Sequence, residues 1–147
     1  MSGSPSAPAP NPCAASRVRR ASRRISQIYD RHLEAYDVSI TQFGILAQLR
    51  SHPGSGVSAL ADRMIMDATT LSRNLRPLER RGLVACEADR DDGRARKIRL
   101  TAAGRAVLER AMSGWSAAQR QIEHALGTDG VRRLNEVLDG ALELLAE

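Results

Sequence analysis

The chain has 147 residues, a formal net charge of +5 and an apolar content of 42%, enough for a small globular domain with oligomerisation arms. Aromatic residues make up only 3% of the chain, which argues against a surface that stacks single-stranded bases. Residues 50–100 hold eleven basic and seven acidic residues, whereas residues 101–147 are net acidic. A polyanionic partner would therefore meet only part of the molecule.

The sequence contains no motif for catalysis or metal binding. Cys13 and Cys86 are far apart, the three histidines are isolated, and neither a P-loop nor a paired nucleophile and base is present. We therefore predict a protein that is not an enzyme and has no cofactor or metal. Residues 1–12 are rich in Pro, Ser and Ala, lack a signal peptide and predict a flexible tail. With no apolar run long enough to span a membrane, we expect a cytoplasmic protein.

The first half of the chain predicts four helices. Apolar residues recur near a 3.6-residue period over residues 13–36, and Ser39 with Gln42 has the form of a capping box that opens a second helix. His52–Gly56 ends that helix, and a short helix follows over Ser58–Met64. Asp67 is placed to cap a fourth helix that runs to Arg81 and stops at Gly82. Leu71, Leu75 and Leu78 are expected to face the core. Pro77 lies inside this helix and is expected to kink it or to shift its last turn.

The second half predicts a hairpin and two helices. Leu83–Glu87 and Arg96–Leu100 are strand candidates around a polar tip, and Thr101 caps a long helix that runs to about Leu126. The apolar stripe expected on this helix consists of Leu108, Met112, Trp115, Ile122 and Leu126. A break at Gly127–Gly130 precedes the last helix. The fold class is mainly α with a small β-hairpin wing: a winged helix-turn-helix at 37–101, flanked by dimerisation helices at 13–36 and 102–147.

The fourth helix and the hairpin carry the residues expected to bind double-stranded DNA. One face of the helix is expected to be exposed, and arginine can hydrogen-bond guanine bidentately in the major groove. The residues on or near this face are Thr69, Arg73, Arg76 and Arg80. Arg94 and Arg96 flank the hairpin tip, where a guanidinium can enter the minor groove. The alternative is that both are simply charged, solvated surfaces. The flanking helices carry more apolar surface than so small a domain can bury, which favours a homodimer.

From about Cys13 to Leu145 the chain resembles the MarR family of bacterial regulators. The resemblance is carried by Val57–Ala61, by Met66–Val84, by the charged wing and by Leu100–Arg105. It implies an obligate dimer that binds a palindromic operator, usually as a repressor, and is released by a small aromatic or phenolic ligand or by thiol oxidation. Two positions depart from the family pattern, because Asp91 stands where the wing usually has arginine and Ala68 where some relatives have a basic residue.

The resemblance also assigns residues to roles. Thr69, Thr70, Arg73 and Asn74 would read the major groove, and Arg94 would be the minor-groove arginine steadied by Asp92. By their position in the helices, the residues expected to line an effector pocket are Tyr29, His32, Tyr36, Phe43, Met112 and Trp115. Each of these six could equally be a core or surface group.

Two alternative hypotheses about the function remain, an oxidation sensor and a module that does not bind DNA. Cys13 begins the first helix, where amide dipoles and Arg17 would favour the thiolate of an oxidation sensor; it could also be an incidental thiol. Cys86 lies in a strand and is expected to be an inert core residue. The other alternative is a winged-helix module that assembles proteins without binding DNA.

Overall fold

A computed structural model describes residues 13–146 except 89, 92 and 94. The helices are α1 (Ala14–Leu33), α2 (Ile40–Ser51), α3 (Val57–Arg63), α4 (Ala68–Arg80), α5 (Ala102–Leu126) and α6 (Thr128–Leu144), and the strands are β1 (Ser55–Gly56), β2 (Val84–Ala88) and β3 (Arg96–Leu100). The mainly helical fold with a small antiparallel sheet is the predicted class. The predicted tail at 1–12 lies outside the described residues.

Side-chain caps fix where three helices begin. Ser39 and Gln42 form a reciprocal capping box on α2, and the Asp67 and Thr101 side chains accept backbone N–H groups of Thr70 and Gly104. These three predictions are confirmed. Gly82, after α4, has φ +68°, a left-handed conformation that glycine adopts without strain.

Several predicted boundaries were wrong by a few residues. The first α-helix ends at Leu33, and a 3-10 turn continues over Glu34–Tyr36. Strand β2 covers Val84–Ala88, so both of its ends lie one residue later than predicted. The predicted break at Gly127–Gly130 is Gly127 alone, since its φ of +75° and ψ of 156° suffice to redirect the chain into α6.

The sheet has a third strand that the sequence did not predict. β1 pairs antiparallel with β3, which lies between β1 and β2. At two residues, β1 is too short to show an alternating pattern, and its pairing partner Ile98 is more than forty residues away. Ser55 is buried there, and its hydroxyl donates to the His52 carbonyl and accepts from Arg63.

The core joins the faces of α2, α4, α5 and the sheet. Leu71, Leu75 and Leu78 of α4 are buried as predicted, and they pack in one cluster with Leu46 and Ile98. Burial of these apolar side chains is the main source of stability for this part of the fold. Pro77 lies inside α4, which continues to Arg80.

Helix α5 buries most of the predicted stripe and a row of small residues beside it. Leu108 and Ile122 are buried, and Met112 and Trp115 pack half-buried against the core, but Leu126 is half exposed. The other buried residues of the helix are Gly104, Val107, Ala111, Gly114 and Ala118. A Cβ at Gly114 would lie 2.4 Å from the His32 carbonyl oxygen. Glycine at this position is therefore what allows α1 and α5 to approach closely.

Candidate nucleic-acid interface

The N-terminus of α4 is held by the carboxylate of Asp67. Its two oxygens accept the Thr70 backbone N–H at 2.8 Å and the Thr70 hydroxyl at 2.9 Å. The backbone hydrogen bond from Thr70 is the largest of several effects that lower the pKa of Asp67, and Arg73 adds a smaller one. The first turn of α4 is thus fixed on a charged cap at neutral pH.

Helix α4 has one buried face and one exposed face. Opposite its three buried leucines, the side chains of Thr69, Arg73 and Arg76 are exposed. Arg80, four residues beyond Arg76, is exposed as well, so the helix presents one hydroxyl and three guanidinium groups along a single side, as predicted from the spacing.

Thr70 and Asn74 are placed differently from their neighbours. Both are half-buried, and their side chains form hydrogen bonds within α4 and its N-cap. The Thr70 hydroxyl donates to the Asp67 carboxylate, and the Asn74 amide donates to the Thr70 carbonyl at 2.9 Å. The pattern of the sequence could not separate these two from Thr69 and Arg73, because the difference lies in local hydrogen bonding. Their role in base recognition stays a prediction.

An open groove separates α4 from the sheet and brings two of the predicted residues together. The groove has a volume of about 380 Å³ and is lined by Val57, Ser72, Leu75, Arg76, Glu79, Cys86 and Arg96. Arg76 and Ser72 also border a smaller depression of about 280 Å³ beside Thr69 and Arg73. Arg96, at the base of the hairpin, therefore lines the same groove as Arg76 of α4, and Arg76 also borders the depression beside Thr69 and Arg73.

Cys86 lies in this groove, half-buried rather than in the core as expected. Burial raises the pKa of the Cys86 thiol, and the nearby Glu79 carboxylate raises it further against a smaller opposite effect of Arg96. The thiol is therefore protonated at neutral pH, which agrees with the expected lack of reactivity.

The tip of the hairpin is only partly described. Arg94 and Asp92, the predicted minor-groove arginine and its support, lie outside the described residues. Arg90 and Asp91 are exposed beside them.

Three of the six residues predicted for an effector pocket form an aromatic cluster. The Trp115 ring centroid lies 6.4 Å from those of Tyr29 and Phe43, and it stacks on Phe43 with an interplanar angle of 9°. The Tyr29 hydroxyl donates to Gln119 at 2.5 Å. Burial raises the pKa of Tyr29, and the Glu123 carboxylate adds to this.

The other three residues lie on α1, on the 3-10 turn that follows it and on α5. His32 Nε2 is 2.8 Å from Gln121 Oε1, the Tyr36 ring abuts Gly114, and Met112 packs half-buried on the core. All six side chains make contacts within the protomer, and their role as pocket residues stays a prediction.

The remaining predictions concern Cys13, metal binding and membrane spans. Cys13 is the exposed N-cap residue of α1, and its side chain does not cap the helix. Within the described ranges, no three or more His, Cys, Asp or Glu side chains are grouped so as to hold a metal ion. No helix in this part of the chain is long and apolar enough to cross a membrane.

Comparison with known proteins places the chain among bacterial regulators. The MarR family model matches residues 38–95. The transcriptional regulator HosA of Escherichia coli is 31% identical over 98 residues, which are 63% of this chain and 73% of HosA. The chain belongs to the MarR family. An uncharacterised HTH-type regulator of Bacillus cereus is 29% identical over 96 residues, and the match spans 63% of that relative's length.

The structural comparison extends the MarR-family likeness over nearly the whole chain. A crystal structure of the Mycobacterium tuberculosis transcriptional regulator MosR in complex with DNA is 38% identical, with a TM-score of 0.77, over 92% of this chain and 99% of MosR. The flanking helices as well as the segment matched by the family model are therefore shared with MosR.

Proposed function

We propose that this protein is a transcription regulator that binds a palindromic DNA operator as a homodimer. The observation that carries the proposal is the exposed face of α4, where Thr69, Arg73 and Arg76 continue across an open groove to Arg96. The similarity to MosR, whose structure was solved with DNA, supports the same use of this surface.

The surface fits a duplex in two ways. An α-helix fits the major groove, and a guanidinium such as that of Arg73 can donate two hydrogen bonds to guanine O6 and N7. In this proposal Arg96 would contact the phosphate backbone, and Arg94, which the family resemblance pairs with Asp92, would enter the minor groove. Phosphate contacts set the affinity and base contacts set the preference for a sequence.

A homodimer would cover the apolar surface that one protomer leaves open. A groove of about 410 Å³ between α1 and α6 is lined by Val18, Ile25, Leu134 and Leu138, among others. Other large apolar side chains on α6 or directly after it are also exposed: Val137, Leu142, Leu144 and Leu145. A two-fold axis through these arms would set two α4 helices about one turn of DNA apart.

We further propose that the regulator acts as a repressor and is released by a small aromatic or phenolic ligand. The region around Tyr29, Phe43 and Trp115 supports this, because aromatic rings and the Tyr29 hydroxyl offer both stacking and a polar contact. A ligand that binds the folded protein raises its melting temperature, so a thermal-shift series of aromatic acids tests the ligand class.

The DNA-binding proposal is tested with the promoter region upstream of the protein's own gene. Wild-type protein should shift this fragment, and Arg73→Ala should weaken binding by roughly 1–3 kcal/mol, mainly at one base position per half-site. Arg110→Ala is the matched control, since it removes the same charge from an exposed position on α5. Absence of salt-sensitive binding would instead favour a protein-assembly module.

A further inference from the structure

The C-terminus of α4 is tied to the corner between α1 and α2 by one side chain. Arg81, the C-cap residue of α4, donates through Nη1 to the backbone carbonyl of Asp37. Its Nη2 lies 3.7 Å from the Asp37 carboxylate. Both terminal nitrogens of the Arg81 guanidinium therefore contact Asp37, which lies 44 residues earlier in the sequence.

The corner that Arg81 contacts is itself fixed in position. Asp37 has φ +57° and closes the 3-10 turn by donating its N–H to the Glu34 carbonyl at 3.0 Å. Asp30 of α1 accepts the N–H of Ile40, the first residue of α2, at 2.7 Å. The end of α1, the turn and the start of α2 therefore form one hydrogen-bonded unit.

The hydrogen bond to the carbonyl is the stronger part of this link. The Asp37 side chain is 89% exposed, and an exposed ion pair contributes little in water. The Arg81 side chain is only 33% exposed, so its position is set largely by packing and by the carbonyl. A carbonyl acceptor also survives any substitution at residue 37 that keeps the left-handed turn.

We propose that Arg81 is a positioning residue for DNA recognition, which holds α4 at a fixed orientation relative to the α1–α2 corner. This inference rests on the proposed function. The last buried leucine of α4 is Leu78, and Arg81 adds a contact to the α1–α2 corner beyond it. Without this contact, Thr69 and Arg73, in the N-terminal half of α4, would no longer be held in one position relative to the major groove of the DNA.

The test measures the dissociation constant for an operator duplex by fluorescence anisotropy, together with the melting temperature and the salt dependence. For Arg81→Ala we expect binding about tenfold weaker, within the roughly 5- to 150-fold range of typical coupling between sites. Arg81→Lys keeps the positive charge but replaces the two guanidinium nitrogens with one ammonium group, so its affinity should fall between those of Arg81→Ala and wild type. Asp37→Asn is the control, because asparagine tolerates φ > 0 and keeps the carbonyl while losing the ion pair; its affinity should stay within about twofold.

The salt dependence separates positioning from direct contact with DNA. If Arg81 only orients α4, the slope of log K against log salt should not change in Arg81→Ala. A slope smaller by about one unit would mean that Arg81 contacts a phosphate, and it would overturn the inference.

Two further results would contradict the inference. Arg81→Ala with a lower melting temperature but wild-type affinity would show a structural role alone and would overturn it. Asp37→Asn that binds as weakly as Arg81→Ala would overturn the assignment of the link to the Asp37 carbonyl. In both cases wild-type binding to DNA would leave the proposed function intact. Wild-type protein that binds no duplex would remove both.

Discussion

At the scale of single residues, α5 depends on glycine where it approaches other parts of the chain. A Cβ on Gly104 would lie 2.0 Å from the Leu83 carbonyl oxygen and 2.7 Å from Leu100 Cδ1. The same Leu83 carbonyl accepts the Thr101 N–H, so it cannot move away without breaking the start of α5. Backbone contact of this kind explains why a small residue is needed where the sequence pattern alone predicted only large apolar ones.

Gly104→Ala should therefore destabilise the protein by about 3 kcal/mol, because overpacking here displaces backbone rather than a flexible side chain. Gly44→Ala is the matched control: its Cβ would make an ordinary contact of 3.7 Å with Met64 Cε, inside helix α2. Replacing this helical glycine should raise stability by up to about 1 kcal/mol. Urea unfolding measures both, and an unchanged midpoint for Gly104→Ala would contradict the packing described here.

At the candidate interface, the sequence predicts which side chains are exposed but not which of them form hydrogen bonds within the protein. Exposure of Thr69, Arg73 and Arg76 follows from helical periodicity, since they lie opposite the buried leucines. The internal bonds of Thr70 and Asn74 and the position of Cys86 in a groove depend on hydrogen bonds and packing that periodicity does not encode. The left-handed Ile65, between α3 and α4, is likewise invisible to a pattern of apolar residues.

At the scale of secondary structure, helix starts were predictable because caps are local. Ser39, Asp67 and Thr101 each bond to an amide three residues ahead, so the signal lies within four positions of sequence. Strand β1 was not predictable, because two residues become a strand only by pairing with distant β3. The orientation of α4 relative to α2 likewise depends on contacts between distant residues such as Arg81 and Asp37.

The cap on α4 predicts a pH dependence. The pKa of Asp67 is lowered in the folded protein, so its contribution to stability is present above the unfolded pKa of about 4 and is lost as pH falls through the folded value. The melting temperature of Asp67→Ala should therefore lie below that of wild type at pH 7, and the gap should close in acid.

Asp67→Asn is the control for that experiment, because asparagine also caps helices but carries no charge to titrate. Its melting temperature should be nearer to wild type at pH 7. A gap between wild type and Asp67→Ala that stays constant down to pH 2 would show that the carboxylate is not the source of the stabilisation.

At the scale of the whole molecule, the proposed dimer would depend on the flanking helices α1, α5 and α6, which would hold the two copies of α4 together. Leu142 is 57% exposed on α6, next to other exposed apolar residues. Leu142→Glu should convert a dimer to a monomer at micromolar concentration, because an unpaired carboxylate would be buried in the apolar interface. Sedimentation equilibrium measures this, and Ala103→Glu, an exposed position at the start of α5, should leave the dimer intact. A monomeric wild-type protein would refute the two-fold arrangement.

In the proposed complex, two protomers bind one DNA duplex, each through its α4 helix and its wing. The most direct test selects a duplex from a random pool and measures stoichiometry and affinity by anisotropy over a salt series. We predict a palindromic site with half-sites about 10 base pairs apart, two chains per duplex, and an affinity that falls by roughly 0.9 log unit per log unit of salt for each phosphate contacted. Failure to enrich any sequence, together with no salt-dependent binding to any duplex, would contradict the account.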